Sequence, residues 1–262
     1  MQTTEILYEV ADHVAAITLN RPEKLNAWTQ TMEAEVQAAM EEAAANEAVR
    51  VILVTGAGRG FCAGADLADP DREASATADS GAALEKYFNP VIRLMRALPK
   101  PIVSAVNGVA AGGGANLALA CDIVLAARSA RFDQAFVRIS LIPDLGGTWF
   151  LPHTVGDARA RALAMLGSSV TAEEAVRMGM AWQVLDDSAL MEEAKKLAHR
   201  LAAGPTLSYA AIKQAINAAA TNTLDQQLDL ERDSQRALGR SADYKEGVAA
   251  FLAKRPAHFT GR

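Results

Sequence analysis

The chain has 262 residues, 50% of them hydrophobic and 22% charged, with a net charge of −5. That length suits one large domain, or a main domain with a smaller appendage, and the composition excludes wholesale disorder. No apolar run is long enough to cross a bilayer, and the negative balance gives no broad attraction to nucleic acid or to an anionic membrane surface, so an anionic ligand needs a local basic cluster.

The N-terminal Met1-Gln-Thr-Thr-Glu5 lacks the basic flank and apolar segment of a signal peptide. The two cysteines, Cys62 and Cys121, make no disulfide framework, and together these features point to a reducing cytoplasm. Arg21 and Lys24, in Asn20-Arg-Pro-Glu-Lys-Leu-Asn-Ala27, are the candidate basic cluster; an ordinary solvated surface pair is the plain alternative. Short runs rich in branched apolar residues at Val14–Leu19, Val51–Thr55, Ile102–Val106 and Ile123–Ala127 predict strands. Helical patterns over Thr31–Ala45 and Leu84–Leu98 separate several of them, the second stopped by Pro99 and Pro101. Between them, Ala68–Ala82 is polar, rich in small residues and poorly patterned, and is expected to be a mobile loop over a substrate. Strand-helix-strand alternation implies an α/β core.

After residue 155 the chain turns helical. Thr171-Ala-Glu-Glu174 reads as a capping box, and helical patterns follow at 189–203, 207–220, 224–238 and 242–254. Gly204-Pro205 breaks one helix from the next. We expect a core over residues 1–200 and a C-terminal helical region over 201–262, packed together because no long linker divides them.

Two glycine-rich loops follow predicted strands. In the first, Gly56-Ala-Gly58-Arg-Gly60, the third glycine does not complete a dinucleotide fingerprint and no clean helix follows; a P-loop sequence is also lacking. The second, Asn107-Gly-Val-Ala-Ala-Gly-Gly-Gly-Ala-Asn116, precedes an apolar helix whose free N–H groups could meet a ligand oxygen. Close packing of a buried helix selects small residues equally well, and both readings stand.

Asp144 is the only carboxylate in Ile139-Ser-Leu-Ile-Pro-Asp-Leu-Gly-Gly-Thr-Trp-Phe-Leu-Pro152. An acid in such apolar surroundings is expected to be desolvated and suited to moving protons, yet Pro-Asp-x-Gly is also turn chemistry, with proline fixing φ. Phe136, Trp149 and Phe150 flank it in sequence, as walls of a pocket or as ordinary core. The four histidines, His13, His153, His199 and His258, show no metal-ligand spacing, and no metal site is expected. Cys62 reads as a small buried thiol.

Taken together, Asn20-Arg-Pro-Glu-Lys-Leu-Asn-Ala27, Phe61-Cys-Ala-Gly-Ala-Asp-Leu67, Gly108-Val-Ala-Ala-Gly-Gly-Gly-Ala115, Cys121-Asp122 and the ending Asp243-Tyr-Lys-Glu-Gly-Val-Ala-Ala-Phe-Leu-Ala-Lys-Arg255 resemble the crotonase, or enoyl-CoA hydratase/isomerase, superfamily over nearly the entire chain. The resemblance implies a spiral of ββα turns with a helical C-terminal trimerisation region, acyl-coenzyme A substrates, no separate cofactor, and a homotrimer or dimer of trimers. It makes the backbone N–H groups of Ala65 and Gly113 an oxyanion hole, and lays Arg21, Lys24, Leu25, Ala63, Asp66 and Leu67 along the coenzyme A. Asn116, Phe136 and Trp149 then fall near the acyl group.

Hydratases of this family use two glutamates, at the positions that Asn116 and Phe136 occupy here. Neither residue can serve as a general base. Asp144 stands where family isomerases place a catalytic aspartate. The segments Leu141–Trp149, Trp182–Asp187, Ile212–Asn217 and Thr221–Arg232 are most similar to family members that convert a ring epoxide on an acetyl-CoA thioester to the ring-expanded oxepin and can also shift enoyl double bonds. The implied function is a single-acid isomerase. Hydration, hydrolysis or dehalogenation of a related thioester, with Asp144 as base or nucleophile, is the second expectation, and a non-catalytic acyl-CoA-binding subunit the third.

Overall fold

Parallel strands covered on both faces must be apolar along their whole length. The two most central strands of the computed structural model, β3 (Val51–Gly56) and β5 (Ile102–Val106), are buried at every residue. They sit in a six-stranded sheet ordered β1 (Ile6–Ala11), β2 (Val14–Leu19), β3, β5, β7 (Ile123–Ala127), β10 (Gln183–Leu185). Only the β1–β2 pair is antiparallel in that sheet. A second sheet is built from three-residue strands in the order β4 (Gly60–Cys62), β6 (Val109–Ala111), β8 (Arg131–Asp133), β9 (Ser169–Thr171). The structure describes residues 3–69 and 79–262.

The chain passes from β3 to β4, from β5 to β6 and from β7 to β8, so each turn leaves one strand in each sheet. Helices make the returns: α1 (Gln30–Ala45) leads into β3, α3 (Asn89–Ala97) into β5 and α4 (Gly113–Ala120) into β7. This is the expected spiral of ββα turns. Phe61, Phe132, Ile17, Met32, Met95 and Leu117 fill the space the elements enclose.

The helix expected from Leu84 begins earlier. Asp79 Oδ1 accepts from the N–H groups of Gly81 and Ala82 and starts α2 (Ser80–Ala83), which runs through a π-helical turn, Leu84–Phe88, into α3. An aspartate cap outweighs the poor helical pattern of the small residues after it. The loop expected over 68–82 is therefore shorter at its C-terminal end, and its residues 70–78 lie outside the described residues.

Beyond β8 come α5 (Gly147–Val155), α6 (Asp157–Leu166) and α7 (Ala172–Met178). The capping box opens α7 as expected: Glu174 N–H donates to Thr171 Oγ1 at 3.3 Å, and Thr171 N–H to Glu174 Oε2 at 3.0 Å. Helix α8 (Leu190–Ala202) buries Leu190, Ala194, Ala198 and Ala202, one residue per turn, and packs across β3, β5 and β7. Three further helices follow, α9 (Thr206–Ala219), α10 (Leu224–Leu238) and α11 (Ala242–Leu252). Lys213 on α9 reaches back to Asp122 Oδ2 at 2.9 Å, and Arg50 donates to Thr206 Oγ1 at 2.8 Å, to Phe259 O at 3.1 Å and to Gly204 O. Among the described residues no helix is long and apolar enough to cross a membrane.

Candidate active site

Two loops pressed together bring the segment around Ala65 close to the start of a helix. Trp28 and Ala65 form an isolated parallel bridge, in which Trp28 N–H donates to Gly64 O at 2.7 Å and Asp66 N–H donates to Trp28 O at 2.9 Å. In such a pairing the middle residue turns its own N–H away from its partner strand. The N–H of Ala65 therefore faces the opposite side, and Ala65 itself is exposed. The start of α4 is close by: a Cβ built on Gly64 would lie 3.7 Å from Gly113 N. Gly113 is the first residue of α4, so its N–H has no partner within the helix. Gly112, at φ 54°, makes the corner between β6 and α4 and donates its N–H to Asp133 O at 2.8 Å. A Cβ on Gly114 would sit 2.2 Å from Cys62 O, so the glycine lets α4 lie directly against β4. Burial pushes the Cys62 thiol up to about 12, as suits a packing residue and not a nucleophile.

Asp144 arrives on a turn of unusual backbone. Leu145 and Gly146 both have positive φ, 47° and 78°, and Gly147 N–H donates to Asp144 O at 2.8 Å, the pattern of a type I′ turn. Asp144 is thus the first residue of the turn, with Pro143 before it. The expected turn is present, and the proline stands just outside it. A left-handed leucine costs about 1–2 kcal/mol. Burial offsets it: Leu145 is 5% exposed, and its methyl carbons lie 3.4 and 3.5 Å from the position a Cβ would take on Gly113. Asp144 Oδ1 lies 3.6 Å from that same position, which puts the half-buried acid beside the start of α4.

Asn116, one helical turn after Gly113, is fully buried. Its Nδ2 donates to Asp144 O at 2.8 Å and its Oδ1 accepts from Gln134 Nε2 at 2.9 Å. Phe136 is buried, with its ring edge 3.7 Å from the Cβ position of Gly112. Trp149 on α5 stacks on His153 at 4.3 Å, meets Phe150 edge-on at 5.2 Å and lies under Arg96. Gln134 is not apparent in the sequence as a site residue, because its partner lies 18 residues away.

The segment assigned to coenzyme A folds around Asn26, fully buried, whose Nδ2 donates to Ala57 O and Gly60 O and whose Oδ1 accepts from Arg21 N–H. Ala63 N–H donates to Leu25 O at 3.0 Å, which joins this segment to the Ala65 loop. Arg21 is committed within the fold: its guanidinium contacts Asp66 Oδ2 at 3.0 Å, Glu5 Oε1 at 3.3 Å and Ala27 O at 2.6 Å. Burial pushes the Asp66 carboxyl up, but the N–H of Ala68 and the Arg21 guanidinium outweigh it and hold the group below its ordinary value. Lys24 and Leu67, by contrast, are exposed. Two hollows elsewhere, about 540 Å³ beside Asp243, Glu246 and Arg255 and about 470 Å³ beside Gly58, Asn107 and Asp187, include neither Gly113 nor Asp144. Among the described residues no group of three or more His, Cys, Asp or Glu is placed to hold a metal ion.

Residues 9–262 match the enoyl-CoA hydratase/isomerase family. The chain is 54% identical to the 1,2-epoxyphenylacetyl-CoA isomerase of Escherichia coli K12, over 98% of both chains. It is 34% identical to the crotonyl-CoA hydratase of Syntrophomonas wolfei, over 100% of each. A crystal structure of an enoyl-CoA hydratase from Polaromonas sp. JS666 superposes with a TM-score of 0.90 at 34% identity, covering 97% of this chain and 99% of that one. With the two-sheet spiral and both glycine-rich loops in place, this chain belongs to the enoyl-CoA hydratase/isomerase family.

Proposed function

We propose that the protein is an acyl-CoA isomerase that converts 1,2-epoxyphenylacetyl-CoA to the ring-expanded oxepin thioester and can also shift the double bond of an enoyl-CoA. The observation that carries this reading is Asp144 Oδ1 beside Gly113, while the amide at position 116 is bonded to Asp144 O and Gln134. The 54% identity to an enzyme named for the same reaction supports it.

The N–H groups of Ala65 and Gly113 receive the thioester oxygen. Removing a proton from the methylene beside the thioester sends negative charge to that oxygen, and each preorganised donor contributes about 3–4 kcal/mol where the charge develops. Asp144 takes the proton. The C–C bond shared by the epoxide and the six-membered ring breaks, and the proton held by Asp144 returns to the ring carbon next to the one that bears the side chain. One carboxylate suffices, since the proton removed is the proton returned, and no water or cofactor enters the balance. Hydration by the family's usual two-glutamate route would need carboxylates at positions 116 and 136, where asparagine and phenylalanine stand.

Lys24, with Leu25, Ala63, Asp66 and Leu67, lies along the coenzyme A in this reading, and Arg21 shapes that surface through its pair with Asp66. Phe136 borders the acyl group. We also propose assembly as a homotrimer or a dimer of trimers; the exposed apolar residues Ile212 and Ile216 on α9 and Leu224 and Leu228 on α10 supply a face for it. Two free, buried thiols suit a reducing cytoplasm.

The reading is tested by incubating purified protein with ring-epoxide, 3-enoyl and 2-enoyl thioesters and following absorbance and mass. Mass-neutral conversion of the first two supports isomerisation, and gain of one water overturns it in favour of hydration.

A further inference from the structure

We propose that Asn116 and Gln134 are positioning residues for Asp144: a relay of two buried amides that fixes the direction of its carboxylate. This rests on Asp144 being the proton carrier described above. The carbonyl oxygen of Asp144 accepts twice, from Gly147 N–H at 2.8 Å and from Asn116 Nδ2 at 2.8 Å. The first bond closes the turn. The second comes from α4, the helix that also offers Gly113 N–H. Three residues of helix separate the two groups, a rise of about 4.5 Å at 1.5 Å per residue. The donor to the thioester oxygen and the clamp on the acid are therefore held by one rigid element.

Gln134 sets the orientation of that clamp. An asparagine amide presents a donor on one side and an acceptor on the other, and only the donor can meet a carbonyl. Gln134 Nε2 donates to Asn116 Oδ1 at 2.9 Å, which leaves Nδ2 facing Asp144 O. Both side chains are buried, at 0% and 1% exposure, so water does not substitute for either bond. Gly147 completes the seat: a Cβ there would come 2.2 Å from Asn116 Nδ2, and the amide occupies that space. The left-handed Leu145 needs such support, since its backbone well is costly. The position that carries a proton-moving glutamate in the hydratases thus serves geometry in this chain.

The experiment makes Asn116→Leu and Gln134→Met in the full chain, each alone and combined with Asp144→Asn, and measures kcat and KM with the ring-epoxide thioester. Misdirecting a reacting group by an ångström costs about 10²-fold, so Asn116→Leu is expected to lower kcat about 10²-fold and Gln134→Met about 10-fold, with KM within about threefold of wild type. In the Asp144→Asn background neither substitution lowers kcat further, because the residue they act through is already gone. Near-normal kcat in both folded variants, with Asp144→Asn impaired, overturns the inference and leaves the acid-base reading standing. A full additional loss on top of Asp144→Asn also overturns it. Near-normal turnover by Asp144→Asn itself overturns both. Should Asn116→Leu fail to fold, Gln134→Met, which leaves Asn116 in place, decides the matter alone.

Discussion

Gly113 and Asp144 face each other across a gap that one methyl group would enter: a Cβ on Gly113 would lie 3.6 Å from Asp144 Oδ1. The start of a helix and a carboxylate on a turn therefore adjoin, although 31 residues separate them in sequence. Neither group is useful alone in the proposed chemistry. The donor stabilises charge that only the acid creates, and the acid can remove a carbon-bound proton only where that charge is stabilised.

Gly113→Ala tests the gap directly. The nearest atoms to the added methyl stand at 3.4, 3.5 and 3.6 Å, ordinary contact distances, so the variant is expected to fold. Loss of chain entropy in the unfolded state should raise stability by about 0.4–1 kcal/mol. The methyl nonetheless enters the space beside the acid, and kcat is expected to fall about 10-fold or more. Thermal melting and kcat, measured together, check this; a less stable protein with normal kcat would contradict it.

Glu33 on α1 gives a pH prediction. It is 2% exposed, its Oε1 has no hydrogen-bond partner among the described residues, and burial pushes its carboxyl from 4.5 to about 7. The folded state then keeps a proton that the unfolded chain loses between those values. The stabilising contribution is complete below about pH 4.5 and is lost as pH rises through about 7. Glu33→Gln should match wild type near pH 4.5 and exceed it by about 1–3 kcal/mol at pH 8. Denaturant unfolding of both proteins across that range checks it, and a difference independent of pH would contradict it.

Lys213 ties α9 to the core. Its Nζ is 2.9 Å from Asp122 Oδ2, with side-chain exposures of 6% and 19%, and the same oxygen accepts from Ile102 N–H at 2.8 Å. Desolvation lowers the lysine's proton affinity, with Asp122 acting in the opposite direction. Lys213→Met leaves a shielded carboxylate without its cation and should cost about 3 kcal/mol, part of which Asp122→Asn in the same chain restores. Urea unfolding of the single and double variants measures this; a cost below about 0.5 kcal/mol for the single variant would contradict it.

Long elements were legible because their signal is local. The apolar runs at Val14–Leu19, Ile102–Val106 and Ile123–Ala127 are strands with those bounds, and the four C-terminal helices fall close to their predicted limits. The strands β4, β6, β8 and β9 have three residues each, too few for any periodicity to register. Within the site, Asp144 stood out as a lone acid and the glycines of the second loop as a close approach. The roles of its neighbours did not. Asn116 acts on a carbonyl 28 residues away, and Arg21 pairs with a carboxylate 45 residues away. Side-chain type says that such residues can bond, while only the fold says to what.

The central claim is that Asp144 moves the proton while Ala65 and Gly113 hold the oxygen. The direct measurement is turnover of 1,2-epoxyphenylacetyl-CoA by wild type and Asp144→Asn, read by absorbance and product mass, with coenzyme A binding and melting temperature as controls. The account predicts mass-neutral conversion by wild type and at least about a 10²-fold loss in the variant, with binding and folding retained. Turnover of the folded variant within a few-fold of wild type would contradict it.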